Sequence, residues 1–134
     1  MGKQKLRKIV IDNLEYLYVS ETKHNTLTEI SIMTVRIFLT GQKQTPLVVE
    51  FLTVEYYYLG QLLKIGINLK NRITNTTDEV NLNRPKFIRE LILLGRKNGW
   101  TGNNKIEAQN GLDYLTELGY ETDILKPLQT KNDR

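Results

Sequence analysis

The strongest constraint on the fold is an amphipathic helix predicted within LNRPKFIRELILLGRKNGW (82–100). Asn83 suits the N-cap position, and Pro85 is tolerated inside the first turn. Asn98 and Gly99 suit a left-handed C-cap. An apolar stripe on one side of a helix needs a second apolar surface to cover it, so the rest of the chain has to supply that surface. The stripe consists of Phe87, Ile88, Leu91, Ile92 and Gly95.

The first half of the chain is predicted to supply this surface as an antiparallel β-meander. The segment KIVIDNLEYLYVS (8–20) indicates two strands around a turn at Asp12 and Asn13. The β-branched segment 27–41 indicates a long strand, and 47–54 indicates its partner after a turn. In the long strand, alternation predicts two partly apolar faces. One face carries Ile30, Ile32, Thr34 and Arg36, and the other carries Met33, Val35 and Ile37.

The remaining segments carry weaker signals. Residues 21–26 (ETKHNT) are predicted to form a polar turn, and residues 71–79 (NRITNTTDE) a loop. Between residues 55 and 70, the alternation of apolar residues favours a strand, although a helical turn also fits. A second, shorter helix is predicted around Leu112, Leu115 and Leu118. We therefore predict an α+β fold, an antiparallel β-meander sheet of about four to six strands with one long and one short C-terminal helix packed on one face.

Composition limits the classes of function. The 134 residues predict a single domain over 1–134, with flexible ends at 1–7 and 126–134. The chain has no cysteine, which excludes disulfides and cysteine-type zinc sites. No apolar run is long enough for a membrane span or a signal peptide, so we expect a cytoplasmic protein with no membrane partner. The net charge of +4 is concentrated at the N-terminal end and in the long helix.

Catalytic patterns are weak throughout the sequence. His24 is the one histidine, and it is expected to be an exposed turn residue without a partner that would make it a base. The acidic residues Glu50, Glu55, Asp78 and Glu79 do not form a recognisable acid–base pair. The glycines match no nucleotide-binding pattern. We therefore expect no catalytic residue, no metal site and no cofactor, and we predict that the protein is not an enzyme.

Three successive tyrosines give the best candidate for a partner contact. Tyr56, Tyr57 and Tyr58 cannot all point inward from an extended segment, because alternate side chains face opposite ways. Exposed tyrosine is enriched at protein interfaces, although the rings could also cap an edge of the core. The leading hypothesis is a non-catalytic protein-binding module of accessory or immunity type. Its partner would be an unidentified protein, or the chain would form a homo-oligomer.

The alternative hypothesis is nucleic-acid binding by the basic helix (84–98) and the N-terminal arm. The outer side of the helix presents a row that could contact phosphates. A charged outer side is also the ordinary state of an amphipathic helix, and the second helix carries several acidic residues. Trp100 is expected to anchor the end of the long helix rather than to bind a ligand. The candidate nucleic-acid contacts are Lys86, Arg89, Arg96 and Lys97.

Several short motifs together resemble a group of small bacterial proteins. The motifs are EYLYVS, LVVEF, the proline-started RPKFIRELI and the following Gly99-Trp100. The Tyr-x-Tyr strand of that group corresponds to Tyr16 and Tyr18 of this chain, and the start of its helix corresponds to Pro85, Ile88, Leu91 and Ile92. The resemblance implies an N-terminal β-meander followed by a helix. It implies no activity, because none is established for those proteins.

Overall fold

The computed structural model describes residues 6–25, 30–56 and 60–126 of the chain. It confirms an α+β fold with a mostly antiparallel sheet. The strands are β1 (Arg7–Ile11), β2 (Leu14–Asn25), β3 (Ile30–Leu39), β4 (Leu47–Tyr56), β5 (Gly60–Gln61), β6 (Ile67–Asn71), β7 (Thr76–Val80) and β8 (Gln109–Asn110). The helices are α1 (Leu62–Ile65), α2 (Pro85–Lys97) and α3 (Gly111–Glu117), followed by a 3₁₀ turn at Asp123–Leu125.

The main sheet has the strand order β1-β2-β3-β4-β5, each strand antiparallel to its neighbours. The short β8 joins β4 in the parallel direction, and β6 and β7 form a separate two-stranded sheet. The predicted turn between the first two strands is confirmed. Asp12 and Asn13 both have positive φ, 53° and 68°, which is the backbone of a two-residue hairpin turn.

Two predicted turns or loops are wrong, because strand pairing overrides polar composition there. The segment predicted as a turn at 21–26 continues β2 as far as Asn25, which pairs with Ile30. His24 is therefore an exposed strand residue rather than a turn residue. Residues 27–29 of the predicted long strand lie outside the described residues. The predicted loop at 71–79 contains β7, which pairs with β6 after a turn at Asn75 (φ 59°).

The C-terminal part of the chain fixes this small β6-β7 sheet. The side chain of Asn71 donates to the carbonyl of Leu118 at 3.1 Å, and its oxygen accepts from the backbone N–H groups of Ile73 and Thr74. The hydroxyl of Tyr120 donates to Asp78 at 3.0 Å. The hairpin is therefore held by side-chain contacts that are remote in sequence.

The ends of α2 differ in how well local sequence predicts them. The N-cap is Arg84, not Asn83 as predicted. The side chain of Asn83 instead donates to the carbonyl of Lys64 at 3.0 Å, just before the end of α1. The predicted C-cap is confirmed, since Gly99 has a φ of 106° and the N–H of Trp100 donates to the carbonyl of Gly95 at 2.9 Å. This hydrogen bond belongs to the C-cap motif, which satisfies the last carbonyls of a helix.

One hydrophobic cluster lies between the sheet and the helices. The predicted apolar residues of α2 belong to it, together with alternate residues of β3 and β4. Gly111 allows α3 to approach β4 closely, because a Cβ at this position would lie 2.3 Å from a ring carbon of the buried Phe51. The members from α2, β3 and β4 include Phe87, Ile88, Leu91, Ile92, Met33, Val35, Ile37, Leu47, Val49 and Phe51.

Candidate interaction surface

Arg96, a predicted nucleic-acid contact, is engaged within the protein. Its Nη1 donates to the Oδ2 of Asp12 at 3.1 Å, and its Nε donates to the hydroxyl of Tyr16 at 3.2 Å. The guanidinium also lies over the Tyr16 ring, 5.5 Å from its centroid. The hydrogen bond to Tyr16 raises the pKa of Arg96 further above its ordinary high value. Arg96 thus ties the end of α2 to the β1-β2 turn.

The other three predicted basic contacts, Lys86, Arg89 and Lys97, differ in their neighbours. The Nζ of Lys97 lies 2.7 Å from the Oε2 of Glu117 on α3. Lys86 lies over the ring of its neighbour Phe87, at 5.4 Å from the centroid. Arg89 is exposed, and in the described part of the chain it has no ion pair. Arg96 and Lys97 therefore pair with carboxylates of the same chain, and the four nucleic-acid contacts stay a prediction.

The predicted tyrosine contact lies mostly beyond what the structure describes. Tyr56 is the last residue of β4 and pairs with Gly60. Its side chain, and all of Tyr57 and Tyr58, lie outside the described residues. Tyr57 and Tyr58 therefore directly follow β4 in the sequence, and the side-chain contacts of all three tyrosines stay a prediction.

Two of the four acidic residues considered as a possible acid–base pair, Asp78 and Glu79, have partners within the protein. Asp78 accepts from Tyr120, and Glu79 lies 2.7 Å from the Nη2 of Arg84. Burial raises the pKa of Tyr120, and its hydrogen bond to Asp78 raises it further. Within the described ranges, no group of three or more His, Cys, Asp or Glu residues is placed to hold a metal ion. None of the helices in these ranges has the length and apolar character needed to cross a membrane.

A buried polar cluster at one end of the sheet is also structural. The side-chain nitrogen of Gln61 donates to the hydroxyls of Ser31 and Thr53, at 2.8 and 2.9 Å. Its oxygen accepts from the backbone N–H of Leu63 at 2.9 Å, which caps α1. Because the amide of Gln61 is satisfied on both sides, the cluster has no unpaired amide group to offer a ligand.

The sheet face opposite the core is the most distinctive surface. Ile32 and Leu52 are cross-strand partners on β3 and β4, and they remain 40% and 46% exposed. Phe38 pairs with Leu17 and is buried, yet it stands outside the core cluster. An antiparallel sheet with one face on the core normally turns polar residues to water on the other. This face instead carries an apolar patch of the kind that marks interaction sites.

We call this surface the open face. Its residues alternate with the core-facing residues of β1 to β4 and therefore point away from the cluster. The sequence signal for it was the partly apolar character of both faces of β3, although the sequence does not show which face stays uncovered. The apolar members are Val10, Leu17, Val19, Ile32, Phe38, Val48 and Leu52. The charged members are Lys8, Glu15, Glu21, Lys23, Arg36 and Glu50.

The charges of the open face are balanced. Arg36 lies 3.1 Å from Glu21, and Lys8 lies 3.2 Å from Glu15. The remaining two charges, Lys23 and Glu50, are both exposed. Neither of them forms an ion pair within the described residues. The face therefore combines apolar side chains, two internal ion pairs and two opposite charges that remain available to a partner.

A surface cavity extends the open face past β4. It has a volume of ≈ 450 Å³ and is bordered by Glu50 and Leu52 on the strand side. On the other side it is bordered by Leu112 and Asp113 of α3 and by Lys126. The cavity therefore lies between the β4 side of the open face and α3.

Comparisons with known proteins identify no similar protein, so the inference about function rests on the open face. No family model matches the chain, and no curated protein or solved structure is significantly similar to it. The resemblance to small bacterial proteins therefore stays a prediction.

Proposed function

We propose that this chain is a non-catalytic protein-binding module, of the accessory or immunity type, that binds its partner through the open face. The exposed Ile32–Leu52 pair carries this proposal, because it leaves large aliphatic side chains in water on a sheet face. A cytoplasmic location is part of the proposal, since the cysteine-free chain needs no oxidising compartment.

The energetics of the open face favour a protein partner. Complete burial of one large aliphatic side chain stabilises an association by about 1.5–3 kcal/mol, and Ile32 and Leu52 retain nearly half of their surface for such burial. The charged members of the open face would orient a bound partner rather than increase its affinity. Tyr56 is the last residue of β4, the strand that carries Leu52, and Tyr57 and Tyr58 follow it in the sequence. These features together describe an apolar centre with a polar rim, as in protein interfaces.

Replacing the exposed aliphatic pair should abolish partner capture without unfolding the protein. In the double variant Ile32→Ser and Leu52→Ser, the face loses its apolar centre while the core cluster is unchanged. We expect the tagged variant to lose proteins that the wild type captures from native lysate, as quantified by mass spectrometry. Ile73→Ser at the β6-β7 turn, where Ile73 is 71% exposed, is the matched control and should capture as the wild type does. Equal capture by a folded double variant, with circular dichroism like that of the wild type, would refute the proposal.

Nucleic-acid binding is the second candidate function, and the unpaired Arg89 and nearby Lys86 favour it. The alternative predicts that the protein is retained on immobilised DNA or RNA at low salt and released as salt rises. Arg89→Glu should weaken this retention, whereas Lys105→Glu, at an exposed lysine outside α2, should leave it nearly unchanged. If the wild type is not retained at low salt, this alternative is excluded.

A further inference from the structure

We infer that a small cavity between β2 and the start of α2 binds a short-chain carboxylate, with Arg7 and Tyr18 as the residues that hold its charged end. The cavity has a volume of ≈ 160 Å³. It lies on the core side of β2, where Tyr18 joins the hydrophobic cluster. A ligand at this place goes beyond the proposed function, which concerns the open face on the other side of the sheet.

The first observation is the hydroxyl of Tyr18. The side chain is 5% exposed, and its hydroxyl forms no hydrogen bond with any residue that the structure describes. Buried polar groups in proteins nearly always have a partner, so this hydroxyl leaves a hydrogen bond for a bound molecule. The other three tyrosines that are buried in the described ranges each have a hydroxyl partner, since Tyr16 accepts from Arg96, Tyr114 donates to Gln109 and Tyr120 donates to Asp78.

The second observation is the guanidinium of Arg7. Its Nη1 donates to the backbone carbonyl of Asn83 at 3.1 Å, which holds the group beside the cavity. Arg7 pairs with Tyr18 across β1 and β2, so the two side chains lie on the same face of the sheet. Among the described residues that line the cavity, Arg7 alone is charged, and it forms no ion pair with any of the described residues. Its remaining N–H groups can therefore make the bidentate contact that a carboxylate accepts.

The rest of the lining fits an anion with a short apolar chain. Leu82 and Ile88 are buried and supply an apolar wall, and Ser20 adds a second hydroxyl. The cavity lies at the N-terminal end of α2, whose dipole favours a negative charge. At about 30 Å³ for each water-sized group, the volume holds about five such groups, which is close to the size of butyrate. Inorganic phosphate fits less well, because it has no apolar part to contact this wall.

Nuclear magnetic resonance titration of the isotope-labelled full chain with sodium butyrate tests the site. We expect saturable shifts of the backbone amide signals of Tyr18, Ser20 and Ile88. Butyramide, a neutral molecule of nearly the same shape, should cause no saturable shift because it lacks the charge. Arg7→Gln and Tyr18→Phe should each raise the dissociation constant of butyrate by at least about tenfold, which is the loss expected for a hydrogen bond to a charged group.

Two matched variants control for general effects of these substitutions. Arg72→Gln removes an exposed arginine outside the cavity, and Tyr114→Phe removes the hydroxyl of a buried tyrosine on α3. Both should bind butyrate as the wild type does. Tyr18→Phe should also unfold at the wild-type urea concentration, because its hydroxyl forms no hydrogen bond with the described residues.

The outcomes are distinct from those of the lysate experiment. No saturable shift with butyrate would overturn the site, and so would binding that neither Arg7→Gln nor Tyr18→Phe weakens. Equal affinity for butyramide or for inorganic phosphate would overturn the assignment of a carboxylate ligand. Weakening by both variants and by neither control would support it. The open face would in each case still be decided by the Ile32 and Leu52 variant.

Discussion

Trp100→Ala should be among the most destabilising single substitutions in this protein. Trp100 is 1% exposed, its ring lies 5.9 Å from the ring of Tyr16, and its Nε1 donates to the carbonyl of Thr45 at 3.0 Å. Removal of the ring leaves a cavity and an unpaired carbonyl, so we expect the free energy of unfolding to fall by about 3–5 kcal/mol. Urea denaturation followed by far-ultraviolet circular dichroism measures this loss, because the variant has no tryptophan for fluorescence.

A matched variant distinguishes packing from hydrogen bonding at this position. Trp100→Phe keeps an aromatic ring beside Tyr16 but removes the N–H donor to Thr45. It should lose clearly less stability than the alanine variant, since the apolar contact is largely kept. If both variants denature at the wild-type urea concentration, Trp100 does not anchor the end of α2 to the sheet.

Leu91→Ala tests the centre of the helix stripe. Leu91 has no exposed surface and belongs to the same cluster as Val35 and Phe51. The substitution should lower the free energy of unfolding by about 2–5 kcal/mol, depending on how far the surrounding side chains close the cavity. Thermal and urea denaturation both measure this effect.

The control for Leu91 lies on the same helix. Arg89→Ala changes an exposed residue and should alter the stability by no more than about 0.5 kcal/mol. A Leu91→Ala variant as stable as Arg89→Ala would show that α2 does not cover the core as described. The pair therefore separates loss of packing from a general effect of substitution in α2.

Local signals predicted the parts of the fold that depend on neighbouring residues. The Asp12-Asn13 turn and the Gly99 C-cap follow from side chains that tolerate positive φ, so short sequence motifs are enough to predict them. The length of β2 and the existence of β7 were missed for the opposite reason. Both depend on a partner strand, which supplies hydrogen bonds to residues whose composition favours a turn.

The candidate sites show the same division. The sequence predicted that α2 is amphipathic and has a basic outer side. It could not show that Arg96 meets Asp12, which is 84 residues away. Nor could it show that Gly111 packs against Phe51, since a glycine before a short helix has many local explanations. Such contacts depend on how α2, α3 and the sheet are placed in space.

By itself, the sequence determined an α+β protein with a β-meander, an amphipathic helix and a β3 strand that is apolar on both faces. The tertiary structure decided which face of β3 packs against the helices and which face remains open. The physical reason is that alternation assigns side chains to the two faces of a strand but does not show which face becomes buried. The helices decide this, because they cover the face of Val35 and Ile37 and leave Ile32 exposed.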